Sequence, residues 1–282
     1  MQAIGKALWY IESHFAEPVT LDDVAEISGL SRFHLARTFA AVVGQPVVAY
    51  MRSRRLTEAA RQLAGGAPDI LQVALSAGYG SHEAFTRAFR DQFGLTPEET
   101  RSRQSLAGLQ LVEPVRMPDK PAVIVAPDRF IKTDTMLFAG LRKYFRFDDR
   151  GGIPNIWQAF GPMIGTIPGE VQGKAYGLCL APSDLNDESG FDYFAAVQVK
   201  SLDEIPEGLS GVRIAGRHWA AFKHAGHVSI IGDTCASAGE WLAQSGRAPK
   251  EQSMQMIEYY PPEFDARTGK GGCEVWVPVV AK

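Results

Sequence analysis

The sequence predicts a two-domain protein, an all-α domain followed by an α+β domain, and three observations carry that expectation. The chain's 282 residues exceed what one core usually serves, at roughly 100–200 residues per domain. Apolar residues recur at helical spacing through residue 105, whereas strand-like alternation with frequent Gly and Pro takes over from 106 onward. Each half also repeats itself. The first contains two units of short helix, glycine turn and serine-opened helix, and the second runs strand, helix, strand, strand and then the same again. The expected boundaries are 1–105 for the helical domain, 106–116 for a linker and 117–282 for the α+β domain.

The helical elements follow in order. Leu8, Ile11 and Phe15 repeat at helical spacing, and Pro18 closes that segment. Thr20-Leu-Asp-Asp23 has the form of a capping box with aspartate in place of glutamate. Val24, Ala25 and Ile27 make the buried face of a short helix that ends at Gly29. Ser31 caps the next helix, which carries Phe33, Leu35 and Phe39 and stops at Gly44. Pro46 opens a longer helix through Tyr50, Met51, Leu56, Ala59, Ala60 and Leu63, and Gly65-Gly66 ends it. Ile70, Val73, Ala74 and Leu75 then form a short helix ending near Gly78. Ser81 caps one bearing Phe85, Ala88, Phe89 and Phe93, followed by Gly94 and Pro97. A bracing helix, a turn and a second helix that enters the major groove is the helix-turn-helix pattern, here present twice.

Beyond residue 106, alternation predicts strands at Val123–Val125, Tyr176–Leu180, Phe194–Val199, Met254–Tyr260 and Glu274–Val277. Helical windows lie near Ile156–Ile164 and Thr234–Leu242. Phe191–Lys200 and Cys273–Val280 close the two copies, and Gly211–Lys223 opens the second.

Composition excludes several classes. With 45% hydrophobic and 22% charged residues the chain is expected to fold throughout, and no apolar run reaches the ~18–20 residues of a membrane helix. The start, MQAIGKALWYIESHF, has no signal-peptide cleavage site, so a cytoplasmic location is expected. Cys179, Cys235 and Cys273 are odd in number and lack C-x-x-C spacing, which points to neither a disulfide framework nor a zinc cluster. The net charge of -3 speaks against a nonspecific polycation. Locally, however, residues 32–61 hold Arg32, Arg37, Arg52, Arg54, Arg55 and Arg61 against Glu58 alone. Arginine suits bidentate contacts to phosphate and guanine.

Leu21 to Arg101 resembles the DNA-binding domain of AraC/XylS-type transcription regulators. The resemblance rests on Ala74-x3-Gly78-Tyr79-x-Ser81-x3-Phe85-x-Arg87-x-Phe89, then Phe93-Gly94-x-Thr96-Pro97, with Arg54-Arg55-Leu56-x2-Ala59 between the units. The second half resembles the GyrI-like effector-binding domain, a pseudo-twofold pair of βαββ units around a central pocket. Its matching residues include Ile153-Pro-x2-Ile156-Trp157-x2-Phe160, Tyr176-Gly177-x-Cys179, Phe191-Asp-Tyr193, Trp219-Ala-x-Phe222-x-His224-x-Gly226 and Ile257-Glu258-x-Tyr260. The order of the two resembles the Rob-like branch of the regulators.

The resemblance implies site residues. Arg32, Phe33, Ala36 and Arg37 of the first reading helix, and His82, Glu83, Thr86 and Arg87 of the second, are expected near DNA bases, with Arg90 on phosphate. Ala36 stands where relatives of this branch carry a longer polar side chain, so base preference does not transfer. Phe33 is equally suited to stapling its helix to a neighbour. Alternation puts Glu258 on one face with Met254 and Met256, and the resemblance places this glutamate in the effector pocket. Trp157, Tyr176, Tyr193 and Phe222, with Trp219 and Trp276, are candidate aromatic walls that suit a core equally. His224 and His227 fall on opposite faces with no third ligand, and Arg267–Gly272 lacks the context of a phosphate loop, so no metal and no cofactor are expected.

The expected function is a DNA-binding transcription regulator modulated by a small amphipathic or cationic hydrophobic ligand, not an enzyme. Its implied partners are double-stranded DNA, a small-molecule effector and RNA polymerase, with no membrane. The alternatives are a GyrI-like small-molecule hydrolase or a drug-sequestering module fused to a DNA-binding domain.

Overall fold

A computed structural model describes the chain except residues 1, 116, 118–122, 184–186, 188, 250–255 and 282. Two compact units divide it, residues 1–116 and 117–282.

In the first unit, α1 (Gln2–His14) precedes α2 (Leu21–Ser28), whose start is a complete capping box between Thr20 and Asp23. Gly29 ends α2 at φ 71°. The helix α3 (Arg32–Val43) begins with the Ser31 hydroxyl accepting from the His34 N–H, and α6 (His82–Phe93) begins the same way with Ser81 and Ala84. Between them lie α4 (Val47–Ala64) and α5 (Ile70–Ser76), the latter capped by Asp69. A last helix, α7 (Pro97–Arg103), had no counterpart in the periodicity. Its signal is nevertheless present, since Thr96 and Glu99 form a second capping box around Pro97. Leu56, Ala60, Leu63, Val73, Phe85 and Phe89 pack into one core that joins α4, α5 and α6.

Three of the six clustered arginines are engaged within the unit, Arg54 buried and Arg55 and Arg61 half-buried, so the local arginine excess is not wholly free for phosphate or guanine. Arg54 is fully buried and pairs with Glu12 of α1 through Nε (2.9 Å) and Nη2 (3.0 Å). Tyr50 donates to the same carboxylate at 2.7 Å. Arg55 donates to the carbonyls of Phe15 and Glu17, and Arg61 pairs with Glu58 and Glu113. The segment read as a linker also belongs with this unit through Val115. Leu106, Leu109 and Leu111 pack on its core, the Val112 carbonyl accepts from Arg54 at 2.8 Å, and the Val115 N–H donates to the Tyr50 hydroxyl at 3.0 Å.

The second unit is an eight-stranded antiparallel sheet. In chain order its elements are β1 (Arg129–Thr133), β2 (Met136–Arg146), α8 (Ile153–Phe160), β3 (Glu170–Leu180), β4 (Gly190–Val199), β5 (Ser210–Ile214), β6 (Arg217–His224), α9 (Ile231–Gln244), β7 (Met256–Tyr260) and β8 (Cys273–Val279). The sheet order is β1-β6-β8-β7-β3-β4-β2-β5. The two βαββ copies are therefore β2-α8-β3-β4 and β6-α9-β7-β8, meeting at β3 and β7. Each edge strand lies on the other copy: β1 leads into β2 but pairs with β6, and β5 leads into β6 but pairs with β2.

Two strand expectations change. Gly211–Lys223 is two strands, β5 and β6, interrupted at Ala215-Gly216. Val123–Val125 is exposed chain outside the sheet, and Ser237 of α9 satisfies its backbone by accepting from the Val125 N–H and donating to the Val123 carbonyl. Apolar alternation alone cannot distinguish a strand from a segment tied down by one serine.

One face of the sheet packs under α8 and α9. The other face closes on itself, with Ile131, Trp219, Trp276, Tyr259, Tyr176, Phe194, Phe138 and Val212 from all eight strands in a single cluster.

Candidate functional site

Position in the unit fixes what each reading helix offers. On α3, Leu35 and Phe39 are buried, so helical periodicity leaves Arg32, Phe33, Ala36 and Arg37 exposed. Phe33 is 71% exposed, which excludes the stapling role. On α6, Phe85, Ala88 and Phe89 are buried and His82, Glu83, Arg87 and Arg90 are exposed. Three of the nine residues are compromised as free contacts. Arg32 is paired with Asp22 of α2. The Glu83 carboxyl is held below the usual range by its own backbone N–H and by Ser81, so it serves the helix start. Thr86 is half-buried with its hydroxyl oxygen covered. Arg87 also lines a surface cleft of about 410 Å³ with Arg52, Tyr79 and Asp91.

In the second unit the central residue is Glu258. It sits on β7 between Gly177 of β3 and Val275 of β8, and is only 5% exposed. Its Oε2 accepts from the Tyr193 hydroxyl at 2.5 Å and from the Tyr260 hydroxyl at 2.9 Å. Trp157 of α8 donates its indole N–H to the Tyr193 oxygen at 2.9 Å, so Trp157 aims Tyr193 and Tyr193 holds the carboxylate. The other oxygen, Oε1, meets the Cys235 thiol of α9 at 3.9 Å, a weak donor. Burial raises the Glu258 pKa, and its three hydrogen bonds only partly oppose that. The same burial and the nearby carboxylate push the Cys179 and Cys235 thiols well up and Cys273 to about 12. The arrangement is a desolvated carboxylate with one oxygen poorly satisfied, suited to a cation or a hydrogen-bond donor brought in by a ligand.

The structure gathers part of the expected aromatic set. Trp157 and Tyr193 touch the Glu258 cradle. Tyr176 lies on the opposite face of the sheet, packed against Tyr259 and Trp276, because it neighbours Gly177, whose position faces Glu258. Trp219 is on that opposite face too. Phe222 is on the helix side but buried beneath α9 against Trp241, with ring centroids 5.5 Å apart. Tyr260 and Cys235 were not nominated. Tyr260 was accessible to the same alternation argument as Glu258, being two residues further along the strand. Met256 flanks the cradle on the α9 side, while Met254 lies outside the described residues. Among the described residues no group of His, Cys, Asp and Glu is arranged to hold a metal, and no helix is long and apolar enough to cross a membrane. His224 hydrogen-bonds Thr234 and the His227 carbonyl.

Glu258→Gln is expected to stabilise the second unit near neutral pH. A raised carboxyl pKa means that the stability contributed by the protonated form is full below the unfolded value of about 4.3 and is lost as pH rises through the folded value. The amide keeps an oxygen for Tyr193 and Tyr260 and removes the buried charge. Thermal unfolding from pH 5 to 8 should show the advantage of the glutamine variant growing with pH, and a shrinking advantage would contradict this.

Comparison with known proteins agrees with both units. The family described as a GyrI-like small molecule binding domain matches residues 129–280, and a helix-turn-helix domain family matches 24–103. The transcriptional regulator Rob of Salmonella typhimurium is 28% identical over 98% of this chain and 97% of its own length. The right origin-binding protein of Escherichia coli is 28% identical over the same shares. The regulatory protein SoxS of Escherichia coli is 39% identical over 33% of this chain and 88% of its own.

Fold and family matches together define a transcription regulator with a helix-turn-helix DNA-binding unit and a small-molecule-binding unit. The chain belongs to the AraC/XylS-type regulators, in the Rob-like branch that carries a GyrI-like domain after the helix-turn-helix pair.

Proposed function

We propose that the protein is a cytoplasmic, sequence-specific regulator whose activity changes when an amphipathic or cationic hydrophobic molecule binds at Glu258. In this reading α3 and α6 enter successive major-groove segments, roughly one helical turn (~34 Å) apart, and the bound chain engages RNA polymerase. Arg37 and Arg87 read bases and Arg90 grips phosphate, while Glu258, Trp157 and Tyr193 hold the ligand. The observation that carries the ligand class is the buried carboxylate of Glu258, whose Oε1 accepts from the weakly donating Cys235 thiol and from no other side chain found among the described residues. A sugar would need many polar partners and a nucleotide a phosphate cradle, and among the described residues neither is assembled around this group.

Two measurements test the reading. Selection of bound sequences from random duplexes should return a defined operator. Against it, Arg37→Ala and Arg87→Ala should each lose about 1–3 kcal/mol and relax preference at one base pair, whereas Arg90→Ala should weaken all sequences alike. Calorimetric titration with aromatic quaternary ammonium ions should show Glu258→Gln binding at least ~1 kcal/mol more weakly, with operator affinity of the ligand-free protein unchanged. Equal affinity of both proteins for every such cation would remove Glu258 from the ligand site. Because coupling is reciprocal, operator DNA should shift the cation affinity as much as the cation shifts operator affinity.

A further inference from the structure

Asp22 and Arg32 form a bidentate pair on the surface of the first helix-turn-helix, with Nε donating to Oδ1 and Nη2 to Oδ2. Asp22 lies in the first turn of the bracing helix α2, and Arg32 is the first residue of the reading helix α3, directly after its cap Ser31. A cation at that place faces the positive end of the α3 dipole, and the carboxylate offsets it. The second helix-turn-helix is built differently. Aligning Gly29 with Gly78 puts Leu71 at the place of Asp22 and Leu75 at that of Glu26, and aligning Ser31 with Ser81 puts His82 at the place of Arg32. Leu71 and Leu75 are exposed, so α5 shows an apolar face where α2 shows two acids.

The pairing has two physical consequences. First, it occupies the Nε–Nη2 edge of the guanidinium, leaving Nη1 and the outer side of Nη2 as donors, the end-on geometry that suits a guanine edge. Second, the pair carries no net charge, so Arg32 adds little to attraction for an arbitrary duplex. We propose that Asp22 is a specificity-determining positioning residue, which holds Arg32 by one edge for presentation to a base pair and cancels the charge with which Arg32 would grip any DNA. The proposal rests on the reading of α3 as a DNA-reading helix.

Asp22→Asn is the test. Thr20 and Asp23 keep the α2 cap, so folding is retained, as circular dichroism and the unfolding midpoint will verify. The full-length protein is titrated against its selected operator and a scrambled duplex over a range of salt. With Asp22→Asn, binding to the scrambled duplex strengthens and its log K against log salt slope steepens by about 0.9, one added phosphate contact. The operator-to-scrambled ratio falls by about tenfold, the scale of one well-placed base contact. In an Arg32→Ala background the same substitution leaves that ratio unchanged. Equal strengthening on both duplexes, with Arg32 present as well as absent, would overturn the proposal and make Asp22 an ordinary surface charge. A wild-type protein that failed to distinguish operator from scrambled DNA would strike the DNA reading itself and take this proposal with it.

Discussion

Arg54→Ala is expected to destabilise the helical unit by about 3–5 kcal/mol, enough to unfold much of it at physiological temperature. Burial pulls the Arg54 pKa down, but the adjoining Glu12 outweighs this and holds the guanidinium charged. Removing it leaves the Glu12 carboxylate buried with Tyr50 as a remaining donor, and frees the Val112 carbonyl that ties the segment after α7 to α4. Denaturant unfolding followed by helical circular dichroism measures the loss. The double variant Glu12→Gln/Arg54→Met should recover part of it, because an apolar replacement of a buried pair is often neutral while half a pair is not. A loss below about 1 kcal/mol for Arg54→Ala would show that the α1–α4 junction depends on its apolar contacts instead.

Gly177→Ala is expected to cost about 2–5 kcal/mol and to abolish the ligand binding proposed at Glu258. The backbone there is ordinary strand, so the objection is purely steric. A Cβ would land on the Tyr193 hydroxyl and the Glu258 carboxylate, well inside contact distance. Neither can easily retreat, since Tyr193 is fully buried and hydrogen-bonded by Trp157, and Glu258 is flanked by β3 and β8. The methyl group therefore separates Tyr193 from Glu258 and leaves a buried carboxylate short of a donor. Tyr193→Phe in the same chain removes the nearest colliding atom and should restore part of the stability but none of the ligand affinity. Thermal unfolding with parallel calorimetry distinguishes the two effects, and a Gly177→Ala protein with wild-type melting and binding would show that the cradle is slack.

What the sequence disclosed was local, and what it concealed depended on partners distant in the chain. The caps at Thr20, Ser31 and Ser81 need only neighbouring residues, so the helix-turn-helix pair was legible in full. Arg54 looked like its surface neighbours because its partner, Glu12, is 42 residues away. Glu258 was identifiable by alternation with its motif, but its aromatic company was not. Whether Tyr176 or Gly177 faces it is set by the β3–β7 register, which a shift of one residue would reverse. The α7 helix was missed for a different reason: its sequence PEETRSR carries no apolar side chain after Pro97 for periodicity to register, although its capping box is explicit.

The exchange of edge strands bears on how the chain is made as well as on its final form. Arg129–Thr133 finds its partner only in Arg217–His224, and the central β3 strand finds β7 only when Met256–Tyr260 has been synthesised. Neither copy of the repeat has all its neighbours until almost the whole sheet exists, so the floor beneath Glu258 is among the last things a growing chain can complete. The helical unit, whose helices chiefly contact near neighbours in sequence, is free to form on the ribosome well before that. For an interval during each round of synthesis, then, the helical unit can be complete while the sheet that carries Glu258 still lacks strands.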